Sequence, residues 1–287
     1  MTDQTIMHRY TSIGRTLDPT NPTNALIMIL AVLGGLVSGA AALLLNGHPL
    51  NEAFWAGIWT GATTFVAWVL TREIDPDYPY SAFVAAGLAL AGSLWAGAPG
   101  LPLLLIITLI ITLRLINRVV GPPFHWIDSF ALLALAVLLA AQGQGLAAVA
   151  VGAAFAIDAL MRPALRRHLV FAVAAAGAGL IALAGNPPAV ARPEGMASNV
   201  LFAIVLAFGF LLMTTHHIRS AADVPGYTLS VARVQAAMVW LLVVAVLAAF
   251  TTSADALLGF LPVWTALAGA ALYRAVALAL KAAEARL

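Results

Sequence analysis

The sequence predicts an all-α fold: a polytopic transmembrane helix bundle of ten spans with both termini cytoplasmic. Three observations predict it. The 287 residues are 62% hydrophobic and only 9% charged, with a mean hydropathy of +0.98, whereas a soluble domain is about half apolar and about a quarter charged. Apolar runs repeatedly reach the roughly 18–20 residues that cross a bilayer. The basic residues between those runs alternate in a way that assigns each connection to one side of a membrane.

Residues 1–23, "MTDQTIMHRYTSIGRTLDPTNPT", are polar and carry no apolar stretch with a cleavage site, so no secretory signal is expected. Ile6, Tyr10, Ile13 and Leu17 fall at helical spacing with Arg9 and Arg15 between them. This pattern predicts a short interfacial amphipathic helix in a cytoplasmic N-terminal arm. Asp18-Pro19 and Asn21-Pro22 then break the chain before the first span. Residues 24–287 read as a single transmembrane helical domain.

The spans are expected at 25–46, 53–73, 81–98, 101–118, 124–142, 144–162, 168–185, 198–216, 233–251 and 256–278. Gly35 and Gly39 in the first span, and Gly57 and Gly61 in the second, have the spacing that lets helix backbones approach closely. The small-residue run "AAAGAGLIALAG" gives the seventh span the same property. Pro262 is expected to bend the tenth span. The longest connection, between the eighth and ninth spans at 216–233, is too short for a domain. Function is therefore expected within the bundle or at its rim.

With the N-terminus placed in the cytoplasm, all but one of the 14 Lys and Arg residues fall on the cytoplasmic side, the exception being Arg192. Excess positive charge facing the cytoplasm is the rule for such proteins, and an error of one span early in the chain would scramble the alternation. The expected location is the cytoplasmic (inner) membrane, multi-pass.

Charge is concentrated in "TREIDPDYPY", Thr71 to Tyr80. The residue before a proline avoids helical geometry, so the second span should end by Asp75, ahead of Pro76. Glu73 and Asp75 then sit at a helix C-terminus, where the dipole disfavours negative charge by about 0.3–1 kcal/mol each. Asp77 is better placed, because Ser81 can cap the next helix. Arg72 lies in the same stretch, and cations from neighbouring connections should compensate: Arg114 and Arg118 with Asn117 beside them, and Arg162 with Arg166 and Arg167. Asp128 and Asp158 lie 15 residues before and after Gly143. At ~1.5 Å per residue both are roughly 22 Å from that turn, at matching depth. Asp128 suits the N-terminal dipole of span five, and Asp158 precedes Arg162 by the spacing of a helical ion pair. The candidate gate or head-group residues are Arg72, Glu73, Asp75, Asp77, Arg114, Asn117, Arg118, Asp128, Asp158 and Arg162.

The sequence excludes several chemistries. There is no cysteine, so there are no disulfides, thiolate metal sites or cysteine nucleophiles. No ionisable residue lies near the middle of a predicted span, which argues against a proton relay across the bilayer. The single lysine, Lys281, is near the chain end, which excludes a retinal Schiff base. Asp158 follows "AFAI" rather than the Gly-x-Gly of intramembrane aspartyl proteases, and "EIDPD" lacks the aspartate spacing of membrane prenyltransferases. His216-His217 reads as a solvated helix end rather than a metal site. Ser38, Thr60, Thr63, Thr64, Ser93, Thr108, Thr112 and Thr265 are expected to bond backbone carbonyls one turn back.

What remains is a carrier-like membrane protein for a small neutral, amphipathic or lipid-like solute, with a charged cytoplasmic gate. Two alternatives stand beside it: a cytoplasmic-face enzyme acting on a lipid head group, in which acids would hold a divalent ion, and a structural or assembly subunit of a membrane complex. No cofactor, resident metal or nucleic-acid partner is expected. The expected partners are membrane lipids, a small-molecule or lipid-like ligand, and further copies of the chain or other subunits of a complex.

Overall fold

The computed structural model describes residues 11–15, 17–97, 100–190, 193–251 and 258–284. Among these residues the expected apolar runs appear as ten helices: α1 Pro22–Leu44, α2 Leu50–Ile74, α3 Ser81–Ala96, α4 Leu103–Asn117, α5 Trp126–Ala141, α6 Gly145–Leu160, α7 His168–Gly185, α8 Gly195–Thr214, α9 Val231–Thr251 and α10 Leu261–Glu284. Among the described residues there is no strand, only an isolated antiparallel bridge between Ala221 and Thr228. Six of the described helices (α1, α2, α7, α8, α9 and α10) are long and apolar enough to cross a membrane. The fold is that of a helical, multi-pass membrane protein.

Local chemistry sets the helix ends. Asn21 caps α1 by accepting from the Thr23 amide, and Pro22 takes a first-turn position where its missing N–H costs nothing. Helix α2 stops at Ile74 with Asp75 as its C-cap, as Pro76 requires. Ser81 is the first residue of α3 rather than its cap, and its hydroxyl donates to the Tyr78 carbonyl at 2.7 Å. The α5–α6 turn passes through Gly143, whose φ of +78° suits only glycine.

Two expectations need correction. The expected bend at Pro262 is instead a helix start: Phe260 is a turn and α10 begins at Leu261, so the proline sits in its first turn. The arm is not a helix over its described part, because residues 11–15 are bends and irregular backbone. Ile13 and Leu17 therefore share no helical face; Ile6, Arg9 and Tyr10 lie outside the described residues.

The chain divides into two compact units. Unit 1 holds arm residues 11–15 with Pro102–Val190 and Thr215–Leu247, and so contains α4 to α7 and most of α9. Unit 2 holds Leu17–Leu101, Ala191–Thr214 and Ala248–Leu287, and so contains α1 to α3, α8 and α10. Each is built on seams of small residues. In unit 2, a Cβ on Gly57 would sit 2.7 Å from the Gly35 carbonyl oxygen, and one on Gly269 would sit 2.5 Å from the Ala85 Cα. In unit 1, a Cβ on Gly145 would sit 2.6 Å from the Gly179 carbonyl oxygen. Such close approach replaces lipid contacts with dense van der Waals contacts between helices.

Candidate functional site

The sequence-predicted charged residues fall into two groups, one in each unit. In unit 1 the centre is Asp158, fully buried in the last turn of α6. Its Oδ1 accepts from Arg118 (Nη2 at 2.7 Å, Nε at 3.2 Å) and from Arg233 Nη1 at 2.7 Å. Its Oδ2 meets His168 Nδ1 at 2.8 Å. Arg233 has acceptors for all of its N–H groups: Asp158, the Ile116 carbonyl, and the carbonyls of Met161, Arg162 and Pro163. One side chain thus ties the end of α4 to the α6–α7 connection. Arg118 reaches Asp158 from the C-cap of α4, with φ +55°, a left-handed conformation that costs a non-glycine residue roughly 1–2 kcal/mol.

The expected Asp158–Arg162 pair does not form. Helix α6 ends at Leu160 and Met161 is extended, so the four-residue spacing is no longer helical. The Arg162 side chain is exposed and only its carbonyl joins the network. Sequence reasoning missed His168 and Arg233 as partners of Asp158. The available signal was position: each ionisable residue opens an apolar run, at the start of α7 and near the start of α9.

His168 Nε2 lies 2.9 Å from Ser129 Oγ, giving an Asp158–His168–Ser129 line. The order matches that of serine hydrolases, but Ser129 is fully buried and Asp158 already serves two guanidiniums. Ser129 Oγ also lies 3.0 Å from the His125 carbonyl, one turn back. The line therefore acts as a buried hydrogen-bond chain joining α5, α6 and α7.

Asp128 occupies the first turn of α5, where its charge complements the helix dipole as expected. It accepts from the His125 amide at 3.0 Å, Thr11 Oγ1 at 2.6 Å, the Ser12 amide at 2.9 Å and Ser12 Oγ at 2.7 Å. The last three belong to the N-terminal arm. Arg114 donates to the Ile13 carbonyl at 2.6 Å, and Arg15 pairs with Asp223 at 2.9 Å. The arm is thus strapped to unit 1. Asn117 Oδ1 accepts from the Val119 amide at 3.0 Å and shapes the turn after α4.

In unit 2, Arg72, Glu73, Asp75 and Asp77 surround the end of α2. Glu73 and Asp75 are buried. Arg72 lies over the Trp68 ring at 5.6 Å and Arg274, from α10, over the Tyr78 ring at 4.5 Å. Tyr78 also meets Tyr273 edge-on at 6.0 Å. Asp75 Oδ2 is buried without a hydrogen-bond partner. Burial raises the Asp75 carboxyl from 3.8 to about 6, opposed by attraction to Arg274. Among the described residues no three His, Cys, Asp or Glu side chains gather to hold a metal ion.

Unit 2 also carries an open apolar groove of about 700 Å³ between α1 and α2. Gly35, Gly39, Gly57 and Gly61 line it together with exposed Val32, Leu36, Phe54 and Ile58. Of the span hydroxyls, Thr64, Thr108, Thr112 and Thr265 bond one turn back as expected, whereas Ser93 Oγ is buried without a hydrogen-bond partner. Thr60 departs from this by donating across to Ser38 Oγ at 2.8 Å. His216 and His217 lie beyond α8 and are exposed. No known protein family, curated protein or solved structure matches the chain.

Proposed function

We propose that this chain is a carrier-like protein of the cytoplasmic membrane for a small neutral, amphipathic or lipid-like solute. In this reading all ten helices cross the bilayer and both termini face the cytoplasm. The one-sided distribution of Lys and Arg supports that orientation. The shorter helices, α3 to α6, have 15 or 16 residues. At ~1.5 Å per residue they fall short of a ~30 Å hydrocarbon core. Local thinning and flanking residues accommodate such a mismatch at modest cost.

The observation that carries the reading is the α1–α2 groove. Its volume, about 700 Å³, lies within the roughly 300–1,000 Å³ of small-molecule sites. Its apolar walls and lateral opening favour the lipid-like end of the solute range. The gate belongs to the Asp75–Arg274 region of unit 2, where a buried carboxylate has an unmet bonding capacity. The Asp158 group suits a fixed clamp better than a gate, because its bonds are complete and buried.

The test is photolabelling with a diazirine fatty acid, together with transfer of a fluorescent lipid in proteoliposomes. Labelling should concentrate on α1 and α2 and fall several-fold in Ala40→Trp, which fills the groove from an exposed lining position. Uniform labelling along every apolar helix, or transfer no faster than in empty vesicles, refutes the carrier.

The same groove favours a second reading, an assembly subunit that receives a partner's transmembrane helix along the glycine seam. A stoichiometric membrane partner that co-purifies with the native chain and is lost from Ala40→Trp selects that reading. The enzymatic alternative has no comparable support, since no metal-holding group of acids occurs among the described residues.

A further inference from the structure

Unit 1 carries a basic surface patch used by neither the Asp158 clamp nor the groove. The segment between α6 and α7 contains Arg162, Arg166 and Arg167. The first two are exposed and the third is half-buried. Among the described residues none of the three guanidiniums has a carboxylate partner. Arg167 donates to the Phe124 carbonyl and lies over the Trp126 ring at 4.5 Å. The nearby acids are already committed: Asp158 to Arg118, Arg233 and His168, and Asp128 to His125 and the arm. The patch therefore keeps its positive charge.

An aromatic, apolar surface lies directly beside it. Trp126 stacks with Phe130 at 6.1 Å, and Phe171 of α7 meets Phe130 at 5.1 Å. Trp126 and Phe130 remain 54% and 58% exposed, so the aromatic face next to the cations is open to a ligand. A cationic rim above an exposed aromatic face is complementary to one kind of molecule, with a phosphate at one end and hydrocarbon at the other. Arginine binds phosphate oxygens through two parallel N–H bonds. A tryptophan ring belongs at the depth where head group meets chain. Basic pockets at helix ends take anionic lipid head groups on the same grounds.

We propose that the Arg162–Arg166–Arg167 patch, with Trp126 and Phe130 below it, is a docking site for an anionic phospholipid. The guanidiniums hold the phosphate head group, and an acyl chain lies along the aromatic face of α5. Arg167 is pre-positioned by Trp126 and the Phe124 carbonyl, so little side-chain entropy is lost on binding. The site lies in unit 1 and is independent of the solute groove of unit 2.

The test uses the full chain, purified in detergent and in nanodiscs of phosphatidylcholine with or without cardiolipin. Native mass spectrometry should show cardiolipin adducts retained several-fold over phosphatidylcholine, and cardiolipin should raise the melting temperature. Arg162→Gln with Arg166→Gln should cut the adducts several-fold and abolish the thermal shift. Both residues are exposed and without side-chain partners, so helicity should be unchanged. Trp126→Ala should weaken retention of cardiolipin while leaving a response to its head group alone. Equal retention of both lipids, or adducts unaffected by the double variant, overturns the site. Displacement of cardiolipin by millimolar inorganic phosphate also overturns it, because the ligand would then be a free anion rather than a lipid.

Discussion

Asp158 in unit 1 and Asp75 in unit 2 are both buried carboxylates at helix C-termini, where the dipole opposes them. Asp158 is engaged through both oxygens by two arginines and a histidine. Asp75 keeps one buried oxygen without a hydrogen-bond partner, and its affinity for a proton rises to match. The difference is one of supply. Around Asp158, three side chains come from the ends of separate helices, and none of them can relax into solvent. Around Asp75, the Arg274 guanidinium is shared with the face of Tyr78. A completed network fixes a structure, whereas an incomplete one leaves a group able to change state.

The most severe way to break this comparison is Asp158→Leu. It strands two guanidiniums and an imidazole in a dry interior, and removing one partner of a buried ion network costs about 3–5 kcal/mol. Thermal unfolding in detergent should show that loss. A destabilisation under about 1 kcal/mol would put the substitution among ordinary surface changes, and Asp158 would not be the centre of unit 1.

Asp75→Asn should act in the opposite direction. The folded state holds the Asp75 proton more tightly than the unfolded chain, so this group's contribution is complete below pH 3.8 and is lost as pH rises through about 6. Raising the carboxyl from 3.8 to about 6 corresponds to about 3 kcal/mol at neutral pH. The asparagine variant should therefore be more stable than the native chain at pH 7 and lose that advantage at pH 4. A pH-independent difference, or destabilisation at pH 7, would mean that Asp75 is as well satisfied as Asp158.

The glycine seams sharpen the comparison, because there the two units should respond alike. Gly57→Ala in unit 2 and Gly145→Ala in unit 1 each place a methyl group under 3 Å from a facing carbonyl oxygen. Each should destabilise by roughly 1–3 kcal/mol through overpacking. Gly87→Ala meets nothing within 4 Å and should be neutral, or stabilising by up to about 1 kcal/mol from helix propensity. If Gly57→Ala melts like Gly87→Ala, the α1–α2 seam is looser than its geometry implies.

Much of this helical fold was legible in the sequence because long apolar runs are a strong signal, and the described helices fall on them. The end of α2 followed from Pro76, and the place of Asp128 in the first turn of α5 followed from the depth count. The partners of Asp158 were not legible. Arg118 and Arg233 lie 40 and 75 residues away, and no local pattern records a tertiary ion pair. Arg162 has the spacing of a partner only in a helix that continues past Leu160, where α6 in fact ends. The arm misled for a related reason: Ile13 has helical spacing, but hydrogen bonds from Thr11 and Ser12 to a distant carboxylate outweigh the weak propensity of a short segment.

The docking of Thr11, Ser12 and Arg15 also constrains how the protein is born. These residues leave the ribosome before α1, yet they bind Asp128 and Asp223, the latter 208 residues downstream of its partner Arg15. These three residues must therefore wait for their partners until the chain through Asp223 has been synthesised. Unit 2 waits longer still, because α3 packs against α10, which follows α4 to α9 in the chain. Neither half can mature as an autonomous early product, so a nascent chain interrupted after α7 would expose glycine seams and unneutralised acids to the membrane's quality-control proteases.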